Sequence, residues 1–335
     1  MVDQIASRSD RSFYIRHEAS KLLKQRISQW CNPDDLATRI CIYTTGSFGR
    51  GDASSFSDLD VFIVSLEENV TGRRLLSGLE EIELLASIVH TNRELRLPNL
   101  DGDGNYLRVH SLSDYLVGLG KPDDDANNTF TGRLLLLLES KAIFGSSAYE
   151  LVRQECIERY WVDYADHSGS FLPAFLTNDI LRFWRTLCVN YEAGEARDPA
   201  KRRAKNLKLK FSRLLTCFSA VLSLQAEFGN SDTVTADRAL AILGRTPMQR
   251  LEDIQASQSG RVDLLVRELQ EMYSWFLQET DCSKDSLYEK MSDPGYYKDS
   301  LLKAREFGDK MFELINAMSS ISGTEGSRFL RYLTV

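Results

Sequence analysis

Residues 41–64 read CIYTTGSFGRGDASSFSDLDVFIV, and this stretch decides the fold of the chain around it. Two runs rich in β-branched and apolar residues, Ile40 to Thr45 and Val61 to Val64, predict two strands. Between them lies a loop rich in glycine and serine that opens with Gly46. The pattern therefore predicts two neighbouring strands joined by a loop whose backbone can approach a ligand closely.

Two carboxylates stand where the second strand begins. Asp58 and Asp60 are two residues apart, so in a strand both side chains point to the same face. Neighbouring carboxylates are unfavourable unless a positive charge lies between them. Their hard oxygen ligands favour Mg²⁺ or Mn²⁺. The pair therefore predicts a divalent metal site.

The loop between the strands carries groups that bind phosphate. Gly46, Gly49 and Gly51 let the backbone come close to a ligand. The loop N–H groups, the Ser47 hydroxyl and the Arg50 guanidinium are donors for phosphate oxygens. A phosphate-bearing ligand is therefore expected beside the carboxylate pair.

The order Gly46-Ser47, Arg50-Gly51 and Ser57-Asp58-x-Asp60 resembles the signature of the DNA polymerase β nucleotidyltransferase superfamily. This version is most similar to the nucleotidyltransferase domain of PII uridylyltransferases and related stand-alone proteins. The resemblance implies metal-dependent transfer of a nucleoside monophosphate from an NTP, ATP among them, to an acceptor hydroxyl, with release of pyrophosphate. It assigns catalysis and metal binding to the two aspartates, and nucleotide binding to Gly46, Ser47, Arg50 and Ser57. A hairpin with a solvated acidic strand end is the structural alternative.

The superfamily fold supplies a third carboxylate from a later strand, and residues 106–112 predict such a strand. This strand itself contains no carboxylate, so Asp103, and after it Asp101, are the candidates for a third catalytic and metal-binding residue. The segment resembles the Trp-Asp-x-Gly-Leu…Gly-His-Ser-Val-Arg segment of PII uridylyltransferases, which places Asp103 and His110 opposite its Asp and His. Since Asp-Gly is also a turn sequence, ligand and turn stay open for both aspartates. His110 is either a structural strand residue or a base.

Composition limits the class of protein. The chain has 335 residues, is 43% hydrophobic and carries a formal net charge of −7, which is typical of a globular protein without a global basic field for nucleic acid. Six scattered cysteines lack a Cys-x-x-Cys pair, which favours reduced cytosolic thiols over a zinc site. No signal core or membrane span is predicted, so we expect a cytoplasmic protein without a membrane partner.

Helical periodicity is found on both sides of the two predicted strands and throughout the second half of the chain. In the first half it predicts helices over 10–30, 71–90 and 131–144, with a solvated loop at 121–128. After Gly145 the strand signals stop, and helices are predicted over 147–163, 178–192, 199–228, 235–243, 260–278 and 295–319. We therefore expect an α+β protein. A small mixed-sheet polymerase β-type nucleotidyltransferase domain over 1–145 is followed by an all-α bundle over 146–335, and the resemblance implies a nucleotide cleft between them.

One stretch of the helical half is strongly basic. Residues 197–213, RDPAKRRAKNLKLKFSR, hold eight basic residues and a single acidic one. At helical spacing, Lys205 and Lys208 lie on one stripe and would bind the phosphates of the nucleotide. The alternative is a solvated helix face.

The acceptor is the most open part of the prediction. The resemblance to PII uridylyltransferases suggests a protein hydroxyl, and the basic helix would suit RNA. A cyclic or linear oligonucleotide synthase that uses NTPs alone is an alternative. A non-catalytic nucleotide-binding module is another, which a missing third carboxylate would favour. The sequence leaves the base of the NTP and the oligomeric state undetermined.

Overall fold

The computed structural model of the chain describes residues 4–68, 72–100, 107–126, 128–193, 198–258, 260–321 and 328–331. The chain forms two compact units, Met1–Arg159 and Tyr160–Val335. Within the described ranges the strands of the sheet all belong to the first unit, and the second is helical. The α+β class predicted from the sequence is confirmed.

The elements follow one another in this order. The first unit contains α1 (Gln4–Ile27), α2 (Pro33–Arg39), β1 (Ile40–Thr44), α3 (Gly46–Arg50), β2 (Val61–Ser65), α4 (Gly78–Glu94), β3 (Val109–Ser111), α5 (Leu112–Val117), α6 (Pro122–Ala126), α7 (Thr129–Glu139), β4 (Lys141–Phe144) and α8 (Ser146–Glu158). The second unit contains α9 (Tyr164–His167), α10 (Ala174–Ala193), α11 (Pro199–Lys208), α12 (Leu214–Ser231), α13 (Ala236–Gly244), α14 (Pro247–Ser257), α15 (Arg261–Glu279), α16 (Lys284–Ser292) and α17 (Pro294–Ile321). A π-helical turn, Leu209–Arg213, joins α11 to α12.

The described strands form one mixed sheet in the order β3-β2-β1-β4. β1 is antiparallel to both β2 and β4, and β3 is parallel to β2. Thr44 at the end of β1 pairs with Val61 at the start of β2. The loop between these strands therefore leaves and re-enters the sheet at the same end.

The two faces of the sheet pack against different helices. On one face, Ile42 and Ile63 join a buried apolar cluster with Leu23 of α1 and Ile88 of α4. On the other face, the Tyr43 hydroxyl lies 3.0 Å from that of Tyr115 in α5. The Tyr43 ring also lies 5.8 Å from the Tyr149 ring of α8. Because α8 packs on this face, the first unit extends through that helix to Arg159.

The ends of two predicted helices are corrected in this unit. The helix predicted over 10–30 ends at Ile27, and Asn32 caps a second helix by accepting from the Asp34 N–H at 3.0 Å, with Pro33 in its first turn. The helix predicted over 131–144 ends at Glu139, and Lys141–Phe144 forms an edge strand. Long-range pairing with β1 decides the second case, since an apolar run of this length suits helix or strand.

In the second unit, aromatic packing explains the π-helical turn. The Phe211 ring is fully buried, with ring centroids 4.8 Å from those of Phe276 and Phe307. The wider turn changes the angular position of the residues that follow, so Ser212 is buried and accepts from the Tyr273 hydroxyl. None of the helices in the described ranges is long and apolar enough to cross a membrane.

Candidate active site

The paired carboxylates lie immediately before β2. Leu59 between them belongs to the buried apolar cluster, whereas Asp58 and Asp60 are half-buried. The Thr45 N–H donates to Asp60 O at 3.0 Å, so the hydrogen-bonded pairing of β1 and β2 continues one residue beyond the strands. The alternating burial places both carboxylates on the face opposite α1 and α4.

The glycine loop brings its first residues against one of these carboxylates. Gly46 follows β1 with φ +62° and is buried. A Cβ atom added there would stand 3.3 Å from Asp60 Cγ and closer still to Oδ2. Ser47 follows in α3 and is half-buried. The structure therefore places the predicted phosphate loop and the predicted metal ligand side by side.

Arg50, predicted to bind phosphate, donates hydrogen bonds to two carboxylates inside the protein. Its Nε and Nη2 donate to the two carboxylate oxygens of Asp52, at 2.9 and 3.2 Å. Its Nη1 donates to Glu139 Oε2 at 3.1 Å, and the Glu139 side chain is completely buried. These charge-assisted bonds assign Arg50 to holding α3 against α7.

Two further predicted residues of the loop also make contacts inside the protein. A Cβ at Gly49 would stand 2.8 Å from the carbonyl carbon of Glu139, so this glycine allows α3 to approach the end of α7. Ser57 Oγ accepts from the Ser54 N–H at 2.9 Å. This bond closes the turn that leads into Asp58.

Side chains of helix α1 form hydrogen bonds to the backbone of the loop. The sequence pattern did not predict these contacts. Arg8, Arg11 and Arg16 donate to the carbonyl oxygens of Asp52, Ser54 and Phe48, at 3.0, 3.1 and 2.5 Å. The Ser12 hydroxyl accepts from the Ala53 N–H at 3.0 Å. The signal in the sequence is the spacing of three and four residues, which places polar side chains along one side of a helix.

His110 lies in β3, opposite Val64 of β2. Its ring is buried between Phe62 and Tyr115, with centroid distances of 6.2 and 5.5 Å. Arg108 Nε donates to its Nε2 at 3.4 Å. Burial, and after it the charge of Arg108, lower the pKa of His110 to about 4, so the ring is neutral at pH 7.

The third carboxylate is not located, because Asp101 and Asp103 lie outside the described residues. Among the residues that are described, no group of three or more His, Cys, Asp and Glu side chains gathers as a metal site. Among the described residues the candidate donors are therefore the predicted pair, Asp58 and Asp60. Two carboxylates on one face fit a hard divalent cation such as Mg²⁺ or Mn²⁺.

The predicted lysines lie in the second unit. Lys205 and Lys208 are exposed on α11, whereas Ala204 and Leu207 of the same helix are buried. The helix is thereby anchored and still presents its ammonium groups to solvent.

The loop predicted at 121–128 is corrected. It contains the short helix α6, and Asp124 is completely buried rather than solvated. Two groups of α7, Arg133 Nη1 and the Thr129 hydroxyl, donate to Asp124 Oδ1 at 3.0 and 2.8 Å. Burial alone would raise the pKa of Asp124, but these hydrogen bonds outweigh it and lower the pKa. The sequence does not predict the ion pair of Asp124 and Arg133, because an acidic run is usually solvated.

Comparison with known proteins agrees with this geometry. Residues 30–100 match the family model described as a nucleotidyltransferase domain. The match covers β1, the glycine loop, both carboxylates and α4. Searches of curated proteins and of solved structures each found no match.

Proposed function

We propose that this protein, whose residues 30–100 match the nucleotidyltransferase domain model, moves a nucleoside monophosphate from an NTP to an acceptor hydroxyl in a reaction that needs Mg²⁺ or Mn²⁺. One observation carries the proposal. Asp58 and Asp60 share a face of the sheet, and Asp60 lies against the first glycine of the loop after β1. This chemistry requires carboxylates that bind a metal ion next to a backbone segment that can bind phosphate.

The transfer forms one bond to phosphorus and breaks another. The acceptor oxygen bonds to the α-phosphorus of the NTP, and the bond from that phosphorus to the bridging oxygen of the β-phosphate breaks. Pyrophosphate leaves with the electron pair of the broken bond, and the proton of the acceptor hydroxyl passes to water. Most of the rate then comes from positioning and from stabilisation of the developing negative charge.

The residues of this chain have separate parts in that reaction. Asp58 and Asp60 would hold the divalent cation, with Asp103 as the proposed third ligand. When bound, such a cation lowers the pKa of an attacking hydroxyl and offsets triphosphate charge. Gly46 and Ser47 would receive the phosphates through backbone N–H groups and the serine hydroxyl.

Other residues act on the nucleotide less directly. Arg50 and Ser57 fix the loop through Asp52, Glu139 and Ser54. Lys205 and Lys208 are proposed to bind the phosphates from the helical unit, as charged donors that offset the charge of the leaving group.

The resemblance to PII uridylyltransferases suggests a protein hydroxyl as the acceptor, and the basic stretch at 197–213 would suit an RNA hydroxyl. A cytoplasmic location follows as part of the same proposal.

The proposal is tested with each α-³²P-labelled NTP and Mg²⁺, with and without cell lysate. The variant with Asp58→Asn and Asp60→Asn should lose transfer, because Asn keeps the side-chain size but removes the negative charge. Glu83→Gln, an exposed position on α4, is the matched control and should stay active. Full transfer by the double variant would contradict the assignment.

The products separate the alternatives. Label on a protein or RNA band names the base and the acceptor class. A new small product without lysate would indicate an oligonucleotide synthase. Tight NTP binding by calorimetry without any transfer would indicate a binding module.

A further inference from the structure

A cavity of about 550 Å³ lies beside β3 in the first unit. Its lining includes Arg108 and His110 of the β3 segment, Ser113 and Asp114 of α5, and Lys121 and Thr129 further along the chain. Cavities of 300–1,000 Å³ are of the size that binds small molecules. Residues 121–128 were expected to form a solvated loop, so the sequence pattern did not predict this cavity.

The cavity opens on the face of the sheet that carries the paired carboxylates. Asp60 and Phe62 are two residues apart along β2, so their side chains share that face. The Phe62 ring stacks on the ring of His110, which lines the cavity, at an angle of 21°. On this face Phe62 therefore stands between Asp60 in the chain direction and His110 of the cavity lining on the neighbouring strand.

The order of the strands indicates which of the two substrates the cavity would bind. The carboxylates precede the central strand β2, the glycine loop leaves β1 on one side of it, and β3 lies on the other side. Nucleotidyl transfer brings two substrates to the carboxylates from opposite sides, because the attacking and leaving oxygens are in line. Since the loop takes the triphosphate, the β3 side is left for the acceptor.

The charges in the cavity favour an anion. Arg108 and Lys121 are both exposed at its rim. Among the described lining residues the acid is Asp114, whose Oδ2 accepts from the Ser111 N–H at 2.7 Å and caps α5, so two cationic side chains stand against one carboxylate. The Ser113 hydroxyl donates to Glu67 Oε1 at 2.8 Å.

The neutral ring of His110 adds a donor at the buried end of the cavity. Its Nε2 accepts from Arg108, which assigns the proton to Nδ1. A phosphate monoester carries close to two negative charges at pH 7, so it matches two cations better than a single carboxylate does. The net charge of −7 disfavours a long nucleic-acid contact.

Resting on the function proposed above, we infer that this cavity binds the acceptor, and that the acceptor is a small hydroxyl-bearing molecule whose phosphate group is held by Arg108 and Lys121.

The first test uses inorganic phosphate as the probe and the metal-free protein, followed by NMR of the histidine ring. The chain has four histidines, and His110→Asn identifies the resonance of interest. We expect a saturable shift of His110 on adding phosphate. Lys121→Ala and Arg108→Gln should each weaken the apparent affinity about tenfold, the scale of one charge-assisted hydrogen bond. Lys21→Ala, an exposed lysine of α1, is the matched control and should bind as the wild type does.

A wild-type protein without a saturable shift would overturn the inference, as would equal affinity in Lys121→Ala, Arg108→Gln and the control. The Asp58→Asn/Asp60→Asn variant should keep phosphate binding at His110. That result separates the two proposals, since this variant tests transfer while leaving the cavity intact.

A second measurement addresses the acceptor directly. In the labelled-NTP assay, inorganic phosphate should compete with the acceptor and not with the NTP, and Lys121→Ala should raise the KM of the acceptor alone. Competition with the NTP alone would place phosphate in the triphosphate site and contradict the inference. Label appearing only on intact protein or RNA chains would contradict a small acceptor while leaving nucleotidyl transfer in place.

Discussion

The carboxylate of Asp60 lies against Gly46 so closely that a Cβ atom at position 46 would stand 3.3 Å from Asp60 Cγ and closer still to Oδ2. The backbone of Gly46 has φ +62°, which L side chains adopt at a cost. The contact joins the first glycine after β1 to the last residue before β2. Loop conformation and carboxylate position therefore depend on one another.

The first prediction concerns this contact. Gly46→Ala should lower the free energy of unfolding by about 1–2 kcal/mol through the left-handed backbone alone, and should abolish transfer because Asp60 must move. Gly72→Ala is the matched control, since Gly72 has φ +64° and nothing within 4 Å of an added Cβ. Chemical denaturation and the labelled-NTP assay measure both effects. Normal transfer by Gly46→Ala would show that the position of Asp60 is not critical.

A second prediction follows from the buried His110. Its pKa is lowered from 6.5 to about 4 in the folded protein, mainly by burial. Between these values the unfolded chain binds more protons than the folded one. The free energy of unfolding should therefore fall as the pH falls from 6.5 to 4, by no more than about 3 kcal/mol from this group. His110→Gln should remove that contribution, and His17→Gln, on an exposed position of α1, should retain it. Equal pH profiles for the two variants would contradict the assignment.

A third prediction concerns the buried charges around Arg50. Glu139→Gln should lower the free energy of unfolding by about 3–5 kcal/mol, because it leaves Arg50 with one carboxylate partner fewer in a buried place. Lys24→Ala removes the exposed pair with Asp34 and should cost less than about 1 kcal/mol. Urea denaturation compares them. A cost for Glu139→Gln as small as that of the control would show that the network contributes little.

A fourth prediction tests the support from α1. Ser12→Ala leaves the buried Ala53 N–H without its acceptor, which should cost about 1–3 kcal/mol. Hydrogen exchange at the Ala53 amide should accelerate. Ser28→Ala, which removes an exposed hydroxyl near the end of α1, should leave that exchange rate unchanged. Unchanged exchange in Ser12→Ala would mean that the loop holds its shape without this hydrogen bond.

A fifth prediction addresses the lysines of the helical unit. The variant with Lys205→Ala and Lys208→Ala should raise the KM of the NTP about tenfold or more while the fold stays intact, because both side chains are exposed. Lys298→Ala, exposed on α17, serves as the control. A wild-type KM in the double variant would favour the alternative of a solvated helix face.

Short-range patterns explain what could be predicted from the sequence. Asp58 and Asp60 are two residues apart next to a strand, so their common face follows from the period of the strand alone. Helix starts are local in the same way, as in the capping box of Ser77 and Glu80 at the start of α4. The α+β class and the nucleotidyltransferase domain were predicted from patterns of this range, and both are confirmed.

What the sequence could not supply depends on partners that only the tertiary fold brings together. The helix predicted over 131–144 gives way to the strand Lys141–Phe144 because β1 offers an edge to pair with. Asp124 is buried because Arg133 neutralises it. Local propensity contains no information about either partner.

The sequence by itself determined the two strands, the glycine loop between them and the carboxylate pair, since these follow from residue spacing along one segment. Only the tertiary structure decided where Arg50 directs its donors and which residues surround the cavity at His110. Those outcomes are set by packing between segments far apart in the chain, where the free energy of burying a charge depends on the partner that the fold brings to it.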